Sequence, residues 1–197
     1  MRPHHALSWL LVPIVVVAIA ACTETKEAAT EPSAVAEETF GHATHNIINE
    51  KNLSAQQRAY LGRLRNAVTT MQDANAMKEQ GWNVVINCRE KSGAGSQGVH
   101  YINFEMVKNG VIDELRPNIL MYETQQNGRK RLIGVEWGVP LQGETPPDIH
   151  GLPFHKNTRD GLWVLHIWVP SNNPSGLFAD WNPAVSCAND QPADVIN

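Results

Sequence analysis

The sequence predicts an α+β domain in which one long N-terminal helix packs on an antiparallel sheet, or small open barrel, of about five strands. Three observations predict it. Apolar and small residues recur at steps of three and four between Ser54 and Gln80; later segments are rich in Val, Ile, Trp and Tyr; and Gly, Asn, Pro and charged residues fill the gaps between those segments.

The helical stripe runs through Tyr60, Leu61, Leu64, Ala67, Val68, Met71, Ala74 and Met77. Ser54 opens an S-x-x-Q pattern with Gln57, a capping box that satisfies the first free amides, and Gly81 supplies the stop. The strands expected next are Trp82 to Cys88, Val99 to Phe104, Asn118 to Thr124, Arg131 to Val139 and Gly161 to Val169. Gln126-Asn127-Gly128-Arg129 suits a type I′ turn and so pairs the third and fourth strands as a hairpin. Lys91 to Gly98 reads as a flexible loop, because it lacks the GK[ST] ending of a phosphate loop. The segment from Leu141 to Pro153 is a long surface loop. Residues 171–187 are turn-rich and should wrap back on the sheet.

The 197 residues carry 16 basic and 20 acidic side chains, a formal charge of −4, with no Lys/Arg run. That balance offers no electrostatic footprint for nucleic acid. The charge is unevenly placed: the first 21 residues hold one Arg and no carboxylate. Their apolar run from Ala6 to Ala21 is short for a bilayer-spanning helix, which needs roughly 20 residues, and suits the core of an export signal.

The run ends in Ile19-Ala20-Ala21-Cys22. This quartet resembles the lipobox of bacterial lipoproteins. The resemblance implies cleavage before Cys22, diacylation of its sulfur, usually acylation of the new amine with a fatty acid such as palmitate, and anchorage in the cell envelope. Thr23 stands where the family places the Asp of inner-membrane retention, which favours the outer membrane. The stretch that follows, rich in Ala, Glu, Thr, Pro and Ser, lacks apolar periodicity and reads as a flexible tether. The expected organisation is therefore signal 1–21, linker 22–39 and one globular domain 40–197. Beyond Cys22 there remain Cys88 and Cys187. In an exported chain such a pair most economically forms a disulfide; the competing reading is two free thiols, one a metal ligand or nucleophile.

Side-chain alternation narrows the functional candidates. Ile133, Val135, Trp137 and Val139 make one apolar face, with Glu136 on the other between Gly134 and Gly138. His166 and His100 also lie on apolar strand faces and should be buried. Two imidazoles and a carboxylate suit a divalent transition metal such as zinc, and three such ligands leave coordination positions open for water or substrate. His155, and His150 in the long loop, are candidate further ligands. His42 and His45 form a weaker i, i+3 pair at the end of the linker. The arrangement resembles that of cupins only in ligand type, because their HxH pair is absent. Trp137, Trp163 and Trp168 read as core and Trp181 as a possible cap on a ligand groove.

Gly98-Val99-His100-Tyr101-Ile102-Asn103, the LIGVEW stretch Leu132 to Trp137, Leu165-His166-Ile167-Trp168, NPSG from Asn173 and Trp181-Asn182-Pro183 resemble a group of uncharacterised exported bacterial proteins over about residues 55–187. That group implies a domain boundary and no activity. Two functions follow as expectations. One is a lipid-anchored envelope protein that binds a metal or small ligand at His100, Glu136 and His166, with Glu136 or a bound water as base if it is an enzyme. The other is a noncatalytic envelope lipoprotein that contacts a protein partner through an aromatic surface.

Overall fold

The computed structural model describes residues 50–190 and 194–196. The expected signal, linker, Cys22, His42 and His45 lie outside them.

The expected α+β arrangement is overturned: the domain is a curled antiparallel sheet of six strands, a half-barrel, with only short helices. The first helix, α1 (Ala55–Ala67), opens with the expected capping box, Ser54 Oγ accepting from the Gln57 amide at 3.1 Å and Gln57 Oε1 from the Ser54 amide at 3.0 Å. It tightens into a 3-10 turn, Val68–Met71, and stops. Thr69 and Thr70 turn their hydroxyls back onto the carbonyls of Asn66 and Ala67, a local bond that competes with continued α-helix. Asp73 then takes extended backbone and accepts from the amides of Asn75 and Ala76, so a separate helix begins, α2 (Ala74–Glu79). Every expected core position of the stripe except Ala67 is buried. The period was real; the continuity was not.

Six strands follow: β1 (Asn83–Lys91), β2 (Gly95–Ile102), β3 (Ile119–Thr124), β4 (Lys130–Pro140), β5 (His155–Asn157) and β6 (Leu162–Ile167). They hydrogen-bond in the order β5-β6-β4-β3-β2-β1, all antiparallel, and a short β7 (Asp194–Ile196) adds to β1 in parallel. The edge strand β5 and the final β7 were not foreseen. The supposed loop at Lys91 to Gly98 is a tight hairpin, with β2 already under way at Gly95. Phe104 leaves the second strand and begins a third helix, α3 (Phe104–Lys108), because Asn103 caps it by accepting from the Met106 amide.

The β3–β4 hairpin forms as expected but through another turn. Only Gly128 has positive φ (77°), with Gly128 N donating to Gln125 O at 2.8 Å and Gln125 N to Arg129 O at 2.8 Å. This is a type I turn closed by a left-handed glycine, not the type I′ turn. A bulge between Met121 and Tyr122 shifts the β3–β4 register: Met121 opposes Gly134 and Tyr122 opposes Leu132. Ile133 is thereby removed from the face it was expected to share with Val135 and Trp137. It clusters instead with Met121, Trp168 and Val185, and Leu132 takes its place.

The larger core unites Tyr60, Leu61 and Leu64 of α1 with Tyr101, Leu120, Tyr122, Val135, Trp137, Leu165 and Ile167 of the sheet. Trp137, Trp163 and Trp168 are all buried. Cys88 and Cys187 form a disulfide across a sequence separation of 99, which ties β1 to the C-terminal wrap. That wrap also bridges Ser96 to Asn182, the two backbones exchanging bonds of 3.0 and 3.1 Å.

Candidate metal centre

On the sheet face opposite the larger core, β4 presents Gly134, Glu136 and Gly138 in succession. The glycines do not leave open space. A β-carbon at Gly134 would come within 2.4 Å of the Met121 methyl, and one at Gly138 within 3.0 and 3.1 Å of Ile119 and Leu162. Apolar tips therefore close in around Glu136 and leave it the sole polar side chain that β4 directs here. Asn118 fixes this part of the strand by exchanging two 2.8 Å bonds with Gly138, as a backbone partner would.

Glu136 is the direct cross-strand neighbour of His166 on β6, while His100 stands on β2 with β3 between. The structure brings the three together. Nε2 of His166 lies 3.5 Å and Nε2 of His100 3.7 Å from Glu136 Oε2, and one candidate ligand atom from each residue lies within 4.8 Å of the others. The residues are 2–4% exposed.

These separations are too long for good hydrogen bonds, whose N···O distances lie near 2.7–3.2 Å. A buried carboxylate ordinarily gathers such bonds; the two imidazoles facing Glu136 stand off from it. The spacing does suit ligand atoms at the corners of one coordination sphere. Tetrahedral ligands about 2.0–2.1 Å from zinc stand roughly 3.4 Å apart.

Burial disfavours charge on all three. It is the largest influence on Glu136 and raises its carboxyl pKa. His100 is pushed down to about 3, by burial first and then by His166 and Arg89, so it stays neutral with a free lone pair. For His166 burial also lowers the pKa, but the carboxylates of Glu136 and Asp180 outweigh it and push the imidazole up to about 8.

His155 and His150 part company. His155, on β5, stacks its ring against that of His166 with centroids 5.9 Å apart, and its Nε2 lies 3.2 Å from Asp180 Oδ1. It therefore belongs to a neighbouring group, His155, His166 and Asp180, on the Nδ1 side of His166. His150 is elsewhere: its ring nitrogens face Glu114 Oε2 at 3.1 Å and the Gln56 amide at 3.0 Å, and its backbone sits in the left-handed region at φ 54°. Trp181 does not line the pocket above the three ligands.

Three residues of the site escaped sequence reasoning. Asp180 Oδ1 lies 3.4 Å from His166 Nδ1, but it comes from an irregular segment where alternation says nothing. Arg89 and Asp160, paired at 2.9 and 3.2 Å, line the pocket; a buried Arg in a strand beside a disulfide cysteine was the signal available. No protein-family model, curated protein or solved structure matches this chain.

Proposed function

We propose that this is an exported, lipid-anchored envelope protein that binds a divalent transition metal through His100, Glu136 and His166. The observation that carries the metal reading is the standing-off of one buried carboxylate oxygen from two buried imidazole nitrogens at 3.5 and 3.7 Å. Imidazole nitrogen and carboxylate oxygen are borderline and hard donors, which suit zinc, iron or manganese better than the thiolate-loving ions. Three protein ligands leave room for water or substrate, and the set lies at the floor of a pocket rather than sealed in the core. Bound there, the metal would act as a Lewis acid toward whatever enters. The lipid anchor rests on the resemblance of Ile19-Ala20-Ala21-Cys22 to a lipobox, and the disulfide agrees with an oxidising compartment.

Metal analysis of the purified protein and of His166→Ala tests the site: near-stoichiometric metal in the parent and a large loss in the variant are expected, and equal content in the two rejects it. Fractionation of Cys22→Ser tests the anchor. Release from membranes is expected; continued retention rejects lipidation at this residue.

A further inference from the structure

The pocket over the three ligands is two-sided, and its two sides identify a class of ligand. Its volume is about 240 Å³, room for roughly eight water-sized groups at about 30 Å³ each. One wall and the mouth are apolar: Val85, Ile86, Ile102, Phe104, Ile119 and Leu162. Val85 and Phe104 are 41% and 56% exposed, so the apolar surface continues out to solvent. The floor is polar, with His100, Glu136 and His166, and beside them stands Arg89.

Arg89 is nine-tenths buried. Two of its guanidinium nitrogens are committed to Asp160, while its Nε–H is a buried donor without an acceptor. Such a donor is costly to leave unmet.

We infer that the pocket takes a small amphipathic carboxylate of about six carbons, its carboxylate at the metal and Arg89 and its hydrocarbon chain along the wall from Ile119 and Leu162 to Phe104. The inference rests on the metal reading above. A carboxylate supplies the acceptor that the Arg89 Nε–H lacks, in a charge-assisted bond roughly twice as strong as a neutral one. A chain of that length fills the volume and withdraws apolar wall from water, worth about a fourfold gain in affinity for each methylene fully buried.

The test titrates the full-length protein, loaded with cobalt(II), with hexanoate, acetate and 1-hexanol, read by the visible bands of the cobalt and by calorimetry. Hexanoate is expected to bind at least about tenfold more tightly than acetate and more tightly than hexanol. Phe104→Ala should weaken hexanoate several-fold and acetate not at all. Cobalt uptake with hexanoate and acetate indistinguishable, or with no spectral response to either, overturns this inference and leaves the metal site standing. Hexanol binding as tightly as hexanoate overturns the anionic head. A protein that takes up no cobalt overturns both readings.

Discussion

Asp180 stands to His166 as a carboxylate does to many metal-bound imidazoles, facing the ring nitrogen that the metal does not use. It acts as a positioning residue: Asp180→Asn should lower metal affinity by about 10–100-fold while the fold survives, measured by competition with a chelator. Unchanged affinity would make the contact incidental. Asp160 carries a separate consequence. Burial, the largest influence, would raise its pKa, but the hydrogen bond and charge of Arg89 outweigh it, and the carboxyl sits below its ordinary 3.8. A group depressed in the folded state stabilises above the unfolded value, and that contribution is lost as pH falls through the folded one. The stability gap between the parent and Asp160→Asn should therefore be full above about pH 4 and close below it; thermal melts across pH 2–7 would read this, and a gap that persists at low pH would contradict it. At this scale alternation in the sequence placed His100, Glu136 and His166 on the right side of their strands. It misplaced Ile133, because a bulge changes parity and leaves no mark on composition.

Among the elements, the β1–β2 hairpin and the C-terminal wrap depend on each other. Gly95 has φ 98°, and a β-carbon there would lie 2.2 Å from the Asn182 carbonyl oxygen. Because both backbone strain and a rigid clash oppose it, Gly95→Ala should cost at least about 2 kcal/mol, seen as a lower denaturation midpoint; a neutral effect would mean the wrap is loosely held. The same wrap is closed covalently by Cys88 and Cys187. Closing about 100 residues restricts the unfolded chain by roughly 4–5 kcal/mol in the chain-entropy treatment, so reduction should lower the melting temperature by about 10 °C or more. A reduced protein that melts with the oxidised one would refute that. Strands were legible as elements because β-branched and aromatic residues cluster between turn formers. The long helix was not: Thr69, Thr70 and Asp73 sit on its polar side, where an apolar period is blind to them, yet they end one helix and start another.

At the level of the whole molecule, the sheet was anticipated and its dominance was not, since 27 residues read as one helix gave the sequence a helical weight that the short α1 and α2 do not carry. Two smaller apolar clusters lie apart from the main core, and one of them, with Ile86, Ile102, Ile119 and Leu162, lines the pocket over the His/Glu set. The half-barrel thus buries its larger core apart from His100, Glu136 and His166, which converge beside the smaller cluster that lines the pocket. X-ray absorption on the zinc-loaded full-length protein reads whether His100, Glu136 and His166 hold one metal ion. A first shell containing two imidazole nitrogens at about 2.0–2.1 Å and one carboxylate oxygen at about 2.0–2.2 Å, completed by water, is expected, with loss of that shell in Glu136→Gln. A shell of water oxygens alone, or one unchanged by Glu136→Gln, would contradict it.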